Sequence, residues 1–331
     1  RGGVWRLLCF GGQRRQGIVG TGRMSKVKVG IIGGTGLEDP QLLENARFIE
    51  NVDTPYGRIS DRLLEGEIHG VPCVLLSRHG RKHDISPTNV NYRANLWALA
   101  EQGVTVIIAS TASGSLQEAL KPGELLFPDS VFDRTFARKV SFFDGEPGHL
   151  PGVCHIPPHP LYHEPLRQLL INSAKKMKEE GELSNYHEGG FGVCIEGPRF
   201  STRAESTVFR SWGASIVNMT MIPETPLAKE LGIPYASVAL ITDYDCWKEG
   251  AEHVSVELVT ATLLANAEKA KQLFVRAIDE IAKRDWTEDR TALKKASRGS
   301  VMLPPAVHVR HLDCSSAADC TCRTPTTGPK S

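Results

Sequence analysis

The chain has 331 residues with 39 basic and 38 acidic side chains, a net charge of +1, and 40% hydrophobic and 23% charged residues. That is globular composition, and it excludes a disordered polyampholyte, a collagen-like chain and a disulfide-stapled miniprotein. Near-zero net charge speaks against a general nucleic-acid coat, and no apolar run approaches the ~18 residues that a membrane span needs.

Residues 1–23 hold five arginines, seven glycines and no acid. Arginine without acid suits an organellar presequence, but the glycines break the required helix and serine is missing. Arg6 interrupts the only apolar stretch, Val4–Phe10, so a signal peptide is not formed either. The segment reads as a disordered extension, with Met24 as the natural start.

From there strand and helix signals alternate. Val27–Ile32 is a β-branched run closed by Gly33-Gly34-Thr35-Gly36, and Val71–Ser77 is the next strand. Tyr92–Gln102 has helical period, and Gly103 ends it. Val104–Ser110 is an apolar run of the kind buried on both faces of a sheet. Glu124–Asp133 is strand-like but interrupted by Pro128. Then follow helix Glu164–Glu180, strand Phe191–Ile195, helix Arg203–Trp212 and strand Ser215–Val217. Thr202 and Glu205 have capping-box spacing. Helix Pro223–Leu231, strand Tyr235–Thr242 and a long helix Ser255–Lys283 complete the series. The expectation is one α/β domain over 24–304, a mixed, partly barrel-like sheet with helices on both faces.

Residues 305–331 are rich in Ser, Thr, Pro and Ala without hydrophobic period, and read as a disordered tail. His308, His311, Cys314, Cys320 and Cys322 lie there, but no CxxC occurs and the spacings match no common zinc site, so no metal is expected. Cys73, Cys154, Cys194 and Cys246 are far apart in apolar or strand-like contexts and read as reduced thiols of a cytosolic protein.

Ligands of such sheets bind where strands end in loops. Five strand ends here finish in small or polar residues. Gly33–Gly36 frees backbone N–H groups for an anion and Thr35 adds a hydroxyl, although a tight turn explains the same residues. Position 39 is Asp, which breaks a dinucleotide fingerprint, and no GK[ST] follows. Arg78 and His79 project directly from a strand, and arginine suits phosphate; a solvated basic loop is the plainer alternative. Ser110–Leu116 leaves N–H groups uncovered, or forms an ST-turn. Met219 and Thr220 sit where Ser215–Val217 runs out, with methionine equally suited to core packing. Asp243 and Asp245, two apart past a strand, can share one pocket and one proton, or cap a loop.

The set GIIGGTGL, RHGRKH, NYRAN, TASGSL, GVCHIP, EGPRFSTRAES, NMTMIPE and TDYDCW resembles the trimeric purine nucleoside phosphorylase family. More narrowly, it resembles the eukaryotic branch that cleaves methylthioadenosine. The match runs from about Val27 to Pro304, and the order and spacing of the motifs carry it. The resemblance implies a pentosyltransferase that splits 5′-methylthioadenosine with inorganic phosphate into adenine and 5-methylthioribose 1-phosphate. It implies phosphate as co-substrate, no cofactor, a homotrimer, a cytoplasmic location extending to the nucleus, and no membrane or nucleic-acid partner. By the same resemblance Thr35, Arg78, His79, Thr111, Ala112 and Thr220 bind phosphate, and Met219 lies under the ribose. Asp243 is catalytic at N7 of the base and Asp245 meets its amino group. Ser201 and Val256 bear on substrate choice, and Val259 and Thr260 lie beside the 5′ substituent. Thr260 stands where the family usually has leucine. His155 and Met302 reach the pocket from a neighbouring subunit.

Two other readings stay open at this point. A 6-oxopurine nucleoside phosphorylase of the same family would carry Asn at the Asp243 position. A nucleotide-binding oxidoreductase would use Gly33–Gly36 for a dinucleotide, with Glu50 or Asp53 near the distance of a ribose acid.

Overall fold

The computed structural model describes residues 27–34, 42–50, 52–250 and 255–303. The two ends, the tail histidines and cysteines, and Thr35 lie outside them. In chain order the strands are β1 (Val29–Gly33), β2 (Glu44–Phe48), β3 (Leu64–Ile68), β4 (Val71–Ser77), β5 (Val106–Ser115), β6 (Leu125–Leu126), β7 (Ser130–Arg134), β8 (Val153–Cys154), β9 (Tyr186–His187), β10 (Phe191–Ile195), β11 (Ile216–Asn218), β12 (Tyr235–Asp243) and β13 (Val301–Met302). The helices are α1 (Tyr92–Glu101), α2 (Glu164–Glu179), α3 (Arg203–Ser211), α4 (Met221–Glu230), α5 (Val256–Ala282) and α6 (Thr287–Gly299).

The hinge of the architecture is β5. Its first half pairs in parallel with β1, Val29–Ile32 against Val106–Ala109. On its other edge β12 runs alongside in parallel, from Tyr235 opposite Ile107 to Asp243 opposite Gly114. Its last residues, Gly114 and Ser115, pair antiparallel with β11. Among the described residues no strand covers Ser110–Ser113 on the edge between β1 and β11. The sheet therefore opens there, and the gap is where a ligand can reach the strand.

From β1 the sheet continues through β4, β3 and β2, and from β11 through β10 to β7. β6 joins β12 and β9 joins β6. Pro128 has no N–H to give, and it separates β6 from β7 as expected. Phe127 N–H and Asp129 N–H still donate to His187 and Gly190 carbonyls, at 2.9 and 3.2 Å, so the pairing curls on across the break. The sheet is mixed and curled without closing into a barrel.

Side-chain alternation sorts the core. Val29, Ile31, Val106, Ile108, Val238 and Leu240 face α2 and α5. Ile32, Ile107 and Ala109 face α1 and α4 on the opposite side. Helices thus cover both faces, and β5 is apolar on both for that reason. The capping box at α3 forms as its spacing predicts, with Thr202 Oγ1 accepting from Glu205 N–H and the Glu205 carboxylate accepting from Thr202 N–H.

Three differences from the sequence reading have physical causes. The Ser110–Ser115 stretch is strand rather than loop, because β12 supplies a ladder partner along it. Helix α4 begins at Met221, two residues before Pro223, with a kink at Ile222. The elements β2, β3, β8, β13 and α6 lack strong local signals; Ser297 is the buried residue of α6, and β2 is almost wholly exposed. Cys73 and Cys194 are buried, Cys154 and Cys246 half-buried, and all four are free thiols. Among the described residues no helix is long and apolar enough to cross a membrane.

Candidate active site

The gap beside Ser110–Ser113 opens into a cavity of about 660 Å³. That volume lies in the range of small-molecule sites. Arg78, His79, Thr111, Ala112, Met219, Thr220, Asp243 and Asp245 all line it, as do Ser201, Val256, Val259 and Thr260. The strand ends singled out in the sequence thus converge on one place. His155 and Met302 do not line it. Both are exposed on the β8–β13 ribbon, where His155 N–H donates to the Ser300 carbonyl at 2.9 Å.

At one end is a polar cluster. Arg78 is 1% exposed. Its Nε and Nη2 donate to Glu224 Oε2 and Oε1 at 2.7 and 2.8 Å, and its Nη1 donates to the Ser110 carbonyl at 2.9 Å. The fork expected to grip an anion is therefore spent on Glu224, and one N–H on each Nη remains. Burial alone would lower the pKa of Arg78, but the charge of Glu224 holds it above its ordinary value. Tyr235 O–H also donates to Glu224 Oε1, at 2.6 Å. Thr111 and Thr220 hydroxyls meet at 2.8 Å. Gly34 N–H lies 3.3 Å from Ser110 Oγ.

His79 complements these donors. Its Nδ1 lies 2.9 Å from the Ile85 carbonyl. A carbonyl only accepts, so Nδ1 carries the proton and Nε2 of the neutral ring is an acceptor. Burial, the Arg78 charge and the neighbouring His83 push its pKa down to about 4, which keeps the ring neutral. A hydroxyl group of a ligand anion would satisfy Nε2.

At the other end are the two carboxyls. Register places them: the β12–β5 ladder shifts between Ile241 and Asp243, so Thr242 is an extra, bulged residue. Strict alternation would put Asp243 on the face of Ile241; the bulge moves it onto the face of Ala112 and Gly114. A Cβ at Gly114 would meet Asp243 Oδ1 at 3.0 Å and Asp245 Cβ at 3.3 Å, so the close approach needs glycine. Asp243 Oδ2 accepts from Thr242 O–H and Oδ1 from Asp245 N–H, both at 2.6 Å. Burial raises the pKa of Asp243 against those two bonds. Asp245 has φ of 49°, a strained conformation for a non-glycine residue. Burial pushes it up to about 6, with the Ser206 hydroxyl pulling down and Asp243 pushing up. Its Oδ2 is buried without a hydrogen-bond partner in the protein, an acceptor left for a ligand donor.

Between the two ends Met219 lies half-buried, its sulfur against Gly197, where a Cβ would come within 2.6 Å of it. Arg138 braces this wall from behind. Its Nη1 donates to the Met219 carbonyl at 2.7 Å and its Nε to Glu196 Oε1 at 2.9 Å. Sequence reasoning gave no role to Arg138 or Glu224. A buried arginine demands a carboxylate, but Glu224 stands 146 residues away from Arg78 and no local pattern links them. Among the described residues no cluster of metal-ligating side chains occurs.

Comparison with known proteins identifies the family. The model of the Phosphorylase superfamily matches residues 28–279. S-methyl-5′-thioadenosine phosphorylase of Caenorhabditis elegans is 62% identical over 286 residues, covering 86% of this chain and 97% of that protein. The Xenopus tropicalis protein of the same name is 53% identical over 84% of this chain and 97% of its own. The structure of methylthioadenosine phosphorylase from Schistosoma mansoni in complex with adenine superposes with a TM-score of 0.79 at 41% identity, covering 84% of this chain and 99% of that one. A mutant of the same Schistosoma enzyme has been solved with methylthioadenosine. The chain belongs to the phosphorylase superfamily, within the family of the S-methyl-5′-thioadenosine phosphorylases.

Proposed function

We propose that the chain is a pentosyltransferase that cleaves S-methyl-5′-thioadenosine with inorganic phosphate, giving adenine and 5-methylthioribose 1-phosphate. The observation that carries the reading is a phosphate-suited cluster and a buried carboxyl pair at opposite ends of one cavity. Thr111 and Gly114 are three residues apart on β5, about 10 Å along the strand. A ribose fits between them.

In this reading Thr35, Arg78, Thr111, Ala112 and Thr220 bind phosphate, and His79 Nε2 accepts from its P–OH. The glycosidic bond breaks as phosphate waits on the opposite face of the sugar. The sugar becomes oxocarbenium-like and the purine anionic. Protonated Asp243 donates to N7 as charge develops there, a contribution of about 10²–10⁴-fold. The Thr242 hydroxyl has a second acceptor, the Ser113 carbonyl at 3.3 Å, to which it turns when Asp243 holds the proton. Asp245 accepts from the exocyclic amino group, and phosphate captures C1′. Met219 lies under the ribose, Ser201 and Val256 bear on substrate choice, and Val259 and Thr260 stand beside the 5′ substituent. No metal or organic cofactor enters this chemistry.

The test is adenine release with and without phosphate. Release that does not depend on phosphate would overturn the reading.

The same reading makes the enzyme a homotrimer of the cytoplasm and nucleus in which His155 and Met302 complete a neighbour's pocket. The exposure of both residues supports it. Mixing separately inactive Asp243→Ala and His155→Ala chains should then restore activity after subunit exchange. Catalysis would need residues 24–304, with 1–23 and 305–331 dispensable.

A further inference from the structure

Helix α5 packs an apolar face, with Leu263, Ala270, Phe274 and Ile278, into the core beside β12. One residue breaks that face. Asn266 is 0% exposed, and it is the single buried polar side chain among the described residues of the helix. Asparagine is a poor helix former, and burying its amide is costly unless hydrogen bonds compensate. Here they do. Asn266 Nδ2 donates to the Ile241 carbonyl at 2.9 Å. Lys269, one turn on, donates through Nζ to Asn266 Oδ1 at 3.4 Å and to the Gly123 carbonyl at 2.7 Å.

The acceptor stands at the start of the bulge. Ile241 still pairs in register with Ser113, and the shift comes between it and Asp243. A bulge leaves its extra residue unpaired and interrupts the ladder, so the peptide that enters it has to be held from outside the strand pair. The Ile241 carbonyl accepts from Gly123 N–H at 2.8 Å as well, and Ile241 N–H donates to the Glu124 carbonyl at 3.1 Å. A carbonyl oxygen has two lone pairs. Both are engaged here, and the Ile241–Thr242 peptide is fixed by the turn before β6 and by α5 together. Two residues on, Asp243 lies so close to Gly114 that a Cβ there would come within 3.0 Å of Oδ1. The first turns of α5 put Val256, Val259, Thr260 and Leu263 on the cavity wall, and Leu263 is one turn before Asn266. One amide therefore ties that wall to the strand end that carries the carboxyl.

We propose that Asn266 is a positioning residue for proton donation: it holds the Ile241–Thr242 peptide so that the bulge sets Asp243 over Gly114. The inference rests on the reading of Asp243 as the proton donor given above. Asn266 does not line the cavity, and it acts through the backbone of β12.

Asn266→Leu and Asn266→Ala both remove the amide donor. Leucine nearly keeps the volume and alanine does not, and both are better helix formers. Neither leaves the Ile241 carbonyl unpaired, because Gly123 N–H remains. Adenine release from methylthioadenosine is followed in single turnovers, with enzyme in excess and phosphate saturating, so that the rate constant does not depend on the active fraction. It should fall roughly tenfold to a hundredfold in both variants, the effect of a misplacement of about 1 Å. Phosphate KM should stay at its wild-type value. In an Asp243→Asn background the same substitutions should change the rate constant less than about twofold, because residues that act through one another are not additive. Melting temperatures identify a variant that does not fold, and the other then carries the test. Unchanged rate constants overturn the proposal. So does a loss in only one of two folded variants, which follows volume instead of the donor, and so does a loss that multiplies with that of Asp243→Asn. An Asp243→Asn enzyme as fast as wild type overturns the base-end reading itself, whatever the Asn266 variants do.

Discussion

Glu224→Gln separates the charge of Arg78 from its counter-charge while changing almost no volume. The two side chains are 2% and 1% exposed. Glutamine keeps one acceptor oxygen, so one of the two bonds at 2.7 and 2.8 Å is lost, and the Tyr235 hydroxyl competes for the oxygen that remains. Removing one partner of a buried pair costs about 3–5 kcal/mol, because the other charge is left without compensation. A domain of this size loses roughly 2–4 °C per kcal/mol, so melting should fall by about 6–20 °C. In the proposed reading, phosphate brings its own negative charge to Arg78. It should therefore stabilise the variant more than the wild type, since a ligand that binds only the folded state adds stability according to its affinity. Scanning calorimetry of both proteins, with and without phosphate, reads both effects. A fall under about 2 °C, or an equal phosphate effect in the two proteins, would refute the reasoning.

Arg78→Ala should weaken phosphate about tenfold or more, the cost of a charge-assisted donor, with nucleoside KM little changed; phosphate saturation curves check it. Asp243→Asn should lower the kcat/KM ratio of methylthioadenosine to methylthioinosine, because asparagine can donate to O6 but holds no proton for N7; a ratio that does not fall removes Asp243 from base reading. Burial raises Glu230 from 4.5 to about 7. A carboxyl raised on folding gives stability that is complete below about pH 4.5 and lost as pH rises through about 7. The wild-type melting temperature should decline across that window, and Glu230→Gln, which keeps an acceptor for Phe142 N–H, should flatten the decline.

What could be read from the sequence was what is decided locally. The apolar run at Val104–Ser110 announces a strand covered on both faces, and Thr202 with Glu205 announces the start of α3, because neighbours along the chain settle both. The small and polar strand ends could be read for the same reason, although Thr111 and Ala112 lie within β5 and Asp243 is the last residue of β12, with only Thr220 following its strand, β11. Partnerships across the fold left no such trace. Nothing near Arg78 requires Glu224, and nothing near Met219 requires Arg138. Strand β2 is held by its antiparallel pairing with β3 rather than by its own exposed residues. Helix α6 packs Lys294 against Gly232, a contact invisible to hydrophobic period.

The bulge at Thr242 has a consequence for how this enzyme could change. In the proposed reading, base recognition depends on where that extra residue sits. With every residue kept, flattening the bulge would swing Asp243 onto the face of Ile241, in the apolar layer that also holds Ile216. Loss of Thr242 itself would make Ile241 and Asp243 neighbours, so the carboxyl would keep the face of Gly114 but lose the hydroxyl that donates to its Oδ2. One more residue between Ile241 and Asp243 would unsettle the fit over Gly114 instead. Shortening this strand end by one residue should therefore adjust the proton affinity of the carboxyl, whereas lengthening it should disrupt its placement.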